Sequence, residues 1–537
     1  MNISSEPKNK TVVVLSRNYS TGLSVIRSLG TQGYTVDLVA SAPKEGASSF
    51  IAASKFVRNS YEAVSKKVKD EDDTELVEIL KTYENENGER YVLIPTDDYT
   101  ASVMDAHKEE LESTFLMPGI VGGRPGSLIH MMDKSVQGEI ARKVGITTPE
   151  EWVVSLREEE PEIPSDMLYP CFVKPLGSIG GYKQEMARCD SPEELKEHLL
   201  KMKESFSNRS VLVQKFINID KEYDVEGVCI DDEIILSGVI YKEYVAQYDR
   251  GVPLYGEMMS LDILGDFVEK IKDFLKEFHY FGMFDLGINK VGDEFWFNEL
   301  NLRSGGTNYV YFESGCNLSE IFVKSALGET ITEEDRTIEE FGKKYLYEKV
   351  AWDDRFHGYL PKDDLQRMIE TADIHIMVND YDPVPGDTFN ETVQEEERKI
   401  RNREIREKHI SSVMEKSGWD RDTVRENIKN ARANFKVSYK EYDQFDLWKF
   451  EPEEQEEAYK KAVAKKERIA KQREECIEQA MDLAGWEREY AIEQINEARK
   501  RLGVSYNVYR KNNFCLMTPE EQDEEFEKIK LRKAEEQ

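Results

Sequence analysis

Residues 283–303 read MFDLGINKVGDEFWFNELNLR, in which two apolar runs flank a turn at 290–293. The pattern predicts two neighbouring strands, with Asp285 on the first and Glu299, Asn301 and Arg303 on the second. Residues two apart on a strand share a face, so the hairpin can bring Asp285 beside the other three side chains. Carboxylate and amide oxygens suit Mg²⁺ that bridges a polyphosphate, and Arg303 adds a planar fork for a phosphoryl or carboxylate oxygen.

A loop of small polar residues, 304–308, follows this hairpin and could contact a substrate. A solvated strand face with a salt bridge would explain the charges of the hairpin but not this loop.

A glycine-rich segment lies upstream, where the predicted strand 169–174 ends in KPLGSIGG (residues 174–181). Glycines let backbone N–H groups approach phosphate oxygens, and Lys174 supplies positive charge. The spacing is not that of a P-loop, and a glycine-rich segment alone is more often an ordinary turn.

A third segment, the predicted strand 211–216, carries Gln214, with Glu222 eight residues further on. Backbone groups at 214–217 could meet an adenine edge, and Glu222 could accept hydrogen bonds from ribose hydroxyls. A buried strand explains the segment equally well by itself.

Taken in this order together with Lys134 in Met-Asp-Lys, these elements resemble the ATP-grasp superfamily over about residues 11–330. Residues 94–98 and 140–146 extend the resemblance to the preceding domain of such enzymes. Within the superfamily the chain is most similar to carboxylate–amine ligases around D-aspartate ligase. Residues 27–30 (Arg-Ser-Leu-Gly) and 315–318 (Gly-Cys-Asn-Leu) support that branch.

The resemblance implies ATP and two Mg²⁺ ions, with roles for residues throughout this region. Lys174 and Arg303 would be catalytic, and Asp285, Glu299 and Asn301 would hold the metals. ATP would contact Lys134, Lys174, Gly177, Ser178, Gly180, Gly181, Gln214, Lys215, Phe216, Ile217 and Glu222.

The chain departs from the pattern at two places. Gln214 stands where glutamate is common, and residues 241–250 lack the proline-containing basic motif of the D-aspartate branch. Substrate contacts are therefore assigned more loosely, to Lys242, Arg250, Ser304, Gly305 and Gly306.

The composition excludes several classes of protein. The net charge is -33 over 537 residues, most of it before residue 391, so the chain should repel nucleic acid. Six scattered cysteines without a CxxC pair favour reduced thiols, which is typical of the cytoplasm. A polar N-terminus and the lack of any apolar run of about 20 residues predict neither a secretory signal nor a transmembrane segment.

The pattern predicts three parts: α/β with a parallel sheet (1–125), α+β (126–390) and all-α (391–537). The resemblance implies that the first is the Rossmann-like domain that precedes an ATP-grasp domain and that the second is the ATP-grasp domain itself. Residues 118–125 are interpreted as a linker, and Pro383–Gly386 as a turn that closes the second part. The third part repeats with a period of 67 residues, so that Gly418-Trp419 and Tyr442 recur as Gly485-Trp486 and Tyr509. The role of the two repeats, which could dock a protein partner or the ligase part, is left open.

The functional hypothesis is an ATP-dependent ligase that joins a small carboxylic acid, such as D-aspartate or another amino acid, to an amine through an acyl-phosphate. The amine could belong to a small molecule, a peptide or a cell-wall precursor. One alternative is an ATP-grasp amino-acid or dipeptide ligase, or a carboxylase, with another substrate. The second alternative is a scaffold with a degenerate ATP-grasp body.

Overall fold

The structure is a computed structural model that describes residues 8, 10–17, 19–64, 73–85, 88–177, 185–206, 210–230 and 233–535. The chain forms two compact units, Met1–Glu397 and Arg398–Gln537. Each unit is described by itself.

A five-stranded parallel sheet opens the first unit, in the order β3-β2-β1-β4-β5. The predicted parallel sheet is thereby confirmed. Its central strands are apolar runs because helices cover both faces of such a sheet. Edge strand β3 was not predicted, because half of its residues are exposed and its sequence lacks an apolar run. The strands are β1 (Thr11–Ser16), β2 (Thr35–Ala42), β3 (Val57–Val64), β4 (Tyr91–Pro95) and β5 (Phe115–Leu116).

The segment interpreted as a linker, residues 118–125, takes part in the fold instead. Its residues Gly119–Ile120 form β6, which pairs with Tyr280 and Phe281 in a later strand. The linker interpretation is therefore wrong. A glycine- and proline-rich composition resembles that of a linker, but it does not prevent a two-residue strand from pairing at a sheet edge.

Two further sheets follow. A four-stranded antiparallel sheet has the order β7-β10-β8-β9, and a nine-stranded sheet has the order β16-β15-β11-β13-β14-β17-β18 with β12 on β11 and β6 on β15. The first comprises β7 (Glu151–Ser155), β8 (Cys171–Pro175), β9 (Ala187–Cys189) and β10 (Ser210–Lys215). The second comprises β11 (Lys221–Ile230), β12 (Glu233–Leu236), β13 (Val239–Val245), β14 (Pro253–Met259), β15 (Tyr280–Val291), β16 (Glu294–Asn301), β17 (Lys344–Leu346) and β18 (Ile374–His375).

Helices cover these sheets. Those of the first unit are α1 (Tyr19–Gly30), α2 (Ser49–Ala52), α3 (Thr74–Lys81), α4 (Asp98–Ala106), α5 (Lys108–Leu111), α6 (Ser127–Met131), α7 (Lys134–Lys143), α8 (Pro192–Phe206), α9 (Phe267–Lys276), α10 (Asn308–Glu313), α11 (Leu318–Ala326), α12 (Glu348–Phe356) and α13 (Lys362–Thr371). Helix α14 (Pro383–Ser417) begins in this unit and runs past its end.

The start of α14 corrects a second prediction. Pro383–Gly386 is the first turn of a 35-residue helix, not a closing turn. Proline is tolerated there because the first backbone N–H groups of a helix have no partner within the helix.

Arg27 ties α1 to the end of the first unit. Its side chain is fully buried, and its Nε donates to Oδ2 of Asp382 at 3.0 Å. Its Nη atoms donate to the carbonyls of Ile376, Met377 and Asp382. The N-terminal sheet domain and residues 376–382 are thus joined by one buried guanidinium.

The described residues of the second unit form helices joined by turns. The two 67-residue repeats within this unit are built alike. In each copy a serine, Ser438 or Ser505, caps a six-residue helix that buries Tyr442 or Tyr509. The helices after α14 are α15 (Arg421–Phe435), α16 (Tyr439–Gln444), α17 (Pro452–Ala484), α18 (Arg488–Leu502), α19 (Tyr506–Lys511) and α20 (Pro519–Glu535).

Across the described residues of the whole chain, none of the helices combines the length and the apolar character that crossing a membrane requires.

Candidate active site

A cavity of about 360 Å³ opens between the four-stranded and the nine-stranded sheets. Most of the residues predicted for the ATP site line it. From the first sheet and its flanks come Lys134, Lys174, Gly177, Gln214, Lys215, Phe216 and Ile217, and from the second come Glu222, Glu299, Asn301 and Arg303.

Lys174 stands at the end of β8 with 7 % of its surface exposed. Burial, reinforced by the charge of Lys134, lowers the pKa of Lys174 to about 8. The nearby carboxylates therefore do not fully offset the free-energy cost of burying the charged ammonium. An anionic ligand such as a phosphate would stabilise the charged form of Lys174.

The predicted adenine end of the cavity is built on β10 and the residues after it. Gln214 donates from Nε2 to Oε2 of Glu151 at 3.0 Å, and its strand lies between β7 and β8. The guanidinium of Arg188 lies 4.5 Å from the centre of the Phe216 ring. Of the predicted glycine loop, Gly177 lines the cavity, whereas Ser178, Gly180 and Gly181 lie outside the described residues.

The hairpin of β15 and β16 has the register that the sequence suggested. Asp285 lies opposite Asn301, and Glu299 lies opposite Gly287. Nδ2 of Asn301 donates to Oδ2 of Asp285 at 3.2 Å, which leaves the amide oxygen of Asn301 available as a cation ligand.

The donor set on this hairpin fits a hard divalent cation. It offers two carboxylates and one amide oxygen, the ligand types that Mg²⁺ takes beside phosphate oxygens. Among the described residues, no group of three or more histidine, cysteine, aspartate or glutamate side chains is placed to hold a metal. Phosphate or water would therefore have to complete the coordination.

Arg303 connects three parts of the molecule. Its Nε donates to Oδ1 of Asp98 at 3.0 Å, and its Nη1 donates to Oδ2 of Asp285 at 3.2 Å and to the carbonyl of Ser304 at 3.1 Å. Asp98 and Asp285 raise the pKa of Arg303 against the effect of burial, so the guanidinium stays charged.

The face of the nine-stranded sheet that carries the site is strongly acidic. Glu222, Asp224 and Glu226 alternate along β11, opposite Asn289, Gly287 and Asp285 respectively. Burial raises the pKa of Asp224 and of Glu226, and the neighbouring Asp285 adds to both shifts. This excess of carboxylates favours the binding of cations.

Three acidic residues in or beside this site were not predicted from the sequence: Asp98, which lines the cavity, and Asp224 and Glu226, which lie beside it on β11. The alternation of acidic residues on β11 is a signal that could have revealed the last two, because side chains two apart share a face. For Asp98 the signal was its position at the start of α4, three residues after the buried strand β4, at the edge where parallel strands carry their sites.

The residues predicted to contact the substrate lie in three different settings. Arg250 lines the cavity. Lys242 is buried and pairs with Asp224, with Nζ 2.7 Å from Oδ1. Ser304 and Gly305 are buried in the loop after β16, and Gly306 is half-buried there.

Cys316 is a poor candidate for a nucleophile. It is fully buried, its thiol donates to Oγ of Ser237 at 3.2 Å, and burial raises its pKa to about 11. A thiol in that state is inert at neutral pH.

Comparison with known proteins identifies part of the chain. Residues 133–237 match the family model described as the ATP-binding domain of the carbamoyl-phosphate synthase L chain. The C-terminal section of the carbamoyl phosphate synthase large chain of Aquifex aeolicus is 24% identical over 218 residues, which cover 40% of this chain and 40% of the relative. The chain spans about two fifths or less of the length of the first curated relatives that it matches.

Solved structures resemble the chain at low sequence identity. The L-amino acid ligase from Bacillus licheniformis has a TM-score of 0.45 and 15% identity, over 61% of this chain and 77% of its own. The biotin carboxylase domain of 2-oxoglutarate carboxylase from Hydrogenobacter thermophilus, a complex with MgADP, has a TM-score of 0.47 and 19% identity, over 62% and 73%. The sequence match over residues 133–237 indicates that this segment is similar to a known ATP-binding domain.

Proposed function

We propose that the chain is an ATP-dependent ligase that forms an amide from a carboxylic acid and an amine. One observation carries this proposal: a single cavity is lined by Lys134 and Lys174 at one side and by Glu299, Asn301 and Arg303 at the other. Phosphate-binding cations and metal-binding oxygens facing each other across one cavity suit the transfer of a phosphoryl group.

ATP would lie with its phosphates between Lys174 and the β15–β16 hairpin. Residues 214–217, at the end of β10, would contact adenine, and Glu222 would accept hydrogen bonds from ribose hydroxyls. Asp285, Glu299 and Asn301 would hold two Mg²⁺ ions, which when bound neutralise the charge of the phosphates.

The reaction would take two steps. An oxygen of the substrate carboxylate attacks the γ-phosphorus, and the bond from that phosphorus to the ADP oxygen breaks, which gives an acyl-phosphate and ADP. The amine nitrogen then attacks the acyl carbon, the carbon–oxygen bond to phosphate breaks, and the nitrogen loses a proton. Lys174 and Arg303 would hold the transferred phosphoryl group, so the chain contributes positioning and charge rather than a nucleophile.

The acid within this class is proposed to be an amino acid, with D-aspartate as the leading candidate. Residues 27–30 and 315–318, together with the small polar loop 304–308, support that branch. Bicarbonate is the acid of the carboxylase alternative. The scaffold alternative is disfavoured because Lys174, Glu299, Asn301 and Arg303 line one cavity, and Asp285 accepts hydrogen bonds from Asn301 and Arg303.

A matrix of acids and amines, scored by ADP release and by product mass, tests this function. D-aspartate with a lysine-containing muropeptide precursor heads the matrix, other amino acids follow, and bicarbonate stands for the carboxylase. ADP release that requires both an acid and an amine, with a product of the amide's mass, is the expected result. Release with bicarbonate alone would indicate a carboxylase, and no release in any pairing despite nucleotide binding would favour a scaffold.

Glu299→Gln supplies the matched control for that assay. The amide keeps the shape of the side chain but cannot neutralise a bound metal equally, so ligation should fall at least about a hundredfold. Circular dichroism should show an unchanged fold. Near-normal ligation by this variant in saturating Mg²⁺ would remove Glu299 from the metal site.

A further inference from the structure

Glu226 is a buried carboxylate whose contacts are concentrated in one loop. It lies on β11 opposite Asp285, and 1% of its surface is exposed. Its Oε1 accepts hydrogen bonds from the backbone N–H of Thr307 at 2.9 Å and from the hydroxyl of Thr307 at 2.5 Å. Its Oε2 accepts from the backbone N–H of Gly305 at 3.2 Å. All three donors belong to the loop 304–307, which we call the substrate loop.

The substrate loop closes tightly over this carboxylate. A Cβ atom added to Gly305 would lie 2.3 Å from the carboxyl carbon of Glu226, a distance that real atoms do not tolerate. At Gly306, one residue further, the nearest atom to an added Cβ would be Cε1 of Tyr347 at 3.7 Å, an ordinary contact. An alanine at position 305 would therefore have to displace the carboxylate of Glu226.

The same loop also holds Arg303. The carbonyl of Ser304 accepts a hydrogen bond from Nη1 of Arg303 at 3.1 Å, beside the bonds of that guanidinium to Asp98 and Asp285. A change in the conformation of the loop would therefore move an acceptor of Arg303, the carbonyl of Ser304, and so alter the position of the guanidinium.

We propose that Glu226 is a positioning residue that shapes the substrate loop and, through Ser304, fixes the guanidinium of Arg303. The proposal rests on the function proposed above for this cavity. Its two oxygens accept hydrogen bonds from the N–H groups of Gly305 and Thr307 and so hold the loop in one conformation before any substrate arrives.

Strand β11 is also anchored by hydrogen bonds that do not involve the carboxylate of Glu226. The backbone N–H of Glu226 donates to the hydroxyl of Tyr311 at 3.0 Å, and that hydroxyl donates to the carbonyl of Gly238 at 2.9 Å. Because these bonds do not involve the carboxylate, a change of the side chain alone leaves the anchoring of β11 in place.

Hydrogen exchange of the full chain, with MgATP affinity measured in parallel, tests the proposal. In Glu226→Ala the amides of residues 305 and 307 should exchange at least about tenfold faster, because both lose their acceptor. Glu226→Gln, which retains one oxygen acceptor, should give an intermediate effect. MgATP affinity should stay within about twofold in both variants, since the nucleotide contacts lie elsewhere in the cavity.

The two glycines provide a matched pair. Gly305→Ala should reproduce the fast exchange of Glu226→Ala by pushing the carboxylate away, whereas Gly306→Ala should leave the protection of residues 305 and 307 unchanged. Once an acid is found, its KM should rise and kcat should fall in Glu226→Ala, with the KM for ATP unchanged and partial rescue in Glu226→Gln.

Unchanged protection at residues 305 and 307 in Glu226→Ala would overturn the proposal, as would equal effects of the two glycine variants. If Glu226→Ala does not fold, the isosteric Glu226→Gln and the glycine pair decide the outcome. Failure of the wild-type chain to bind MgATP would instead refute the proposed function, and the exchange measurements would still test whether Glu226 holds the substrate loop.

Discussion

Lys174 shows how burial tunes a single residue of the site. Its ammonium is almost fully shielded, and burial beside Lys134 lowers its pKa to about 8. The charged form is the one that contacts phosphate, so it is fully present below that pKa and lost above it. We expect nucleotide affinity to fall about tenfold between pH 7 and pH 9.

Calorimetric titration with MgADP across this pH range measures that effect. Lys174→Met keeps the length of the side chain without its charge, so it should bind more weakly at pH 7 and show a flat pH profile. The assignment of Lys174 to the phosphate site fails if the wild-type profile is flat or the variant retains the wild-type slope.

Arg303 depends on geometry as well as charge. Its guanidinium donates hydrogen bonds to Asp98, to Asp285 and to the carbonyl of Ser304 at the same time. A lysine ammonium keeps the charge but cannot span these acceptors, so Arg303→Lys should lower kcat at least about tenfold. The apparent affinity for ATP should change by less than about threefold. Steady-state kinetics with the substrates found in the matrix would check this, and an unaltered kcat would demote Arg303 to a structural ion pair.

At the scale of elements, the two helical repeats differ at one informative turn. Helix α15 is followed by Lys436, which has a left-handed backbone (φ 61°), whereas the equivalent position after α18 is Gly503 (φ 68°). Only glycine adopts this conformation without a steric penalty. Lys436→Gly should therefore stabilise α15 against unfolding by about 1 kcal/mol.

Hydrogen exchange of the α15 amides measures that change. The same substitution at Lys429, an exposed position inside α15, serves as the control and should destabilise the helix by about 1 kcal/mol. A loss of protection in Lys436→Gly would show that the lysine side chain stabilises this turn more than its backbone strains it.

At the scale of the whole molecule, the boundary between the two compact units lies a few residues beyond Asn390. The compact first unit extends to Glu397, and Phe389 and Val393 of α14 are at least partly buried. We propose that residues 1–397 form an independent ligase. The MgATP affinity of that fragment and its rate of product formation should lie within about twofold of the values for the full chain.

Comparison of fragments that end at residues 397 and 388 tests this division. The shorter one loses Phe389, which packs against the core, so it should unfold at lower temperature. A 1–397 fragment that folds and binds nucleotide but does not ligate would mean that the repeats help to form the acceptor site.

The sequence alone determined features that depend on short-range geometry. Asp285, Glu299 and Asn301 could be placed together because one hairpin connects them and strand alternation decides which face each side chain takes. The helical repeats could be recognised because equivalent packing positions recur at a fixed period. The roles assigned to the ATP-binding, metal-binding and substrate-binding residues remain predictions.

Tertiary structure alone decided the contacts between distant segments. Asp98 meets Arg303 across 205 positions of sequence, and Glu226 meets Gly305 and Thr307 across 79 and 81. Lys242 pairs with Asp224 from a neighbouring strand, and its predicted contact with the substrate stays a prediction. No local pattern encodes such contacts, because which side chains meet depends on how whole sheets and helices pack, and that packing is set by the burial of apolar surface throughout the unit.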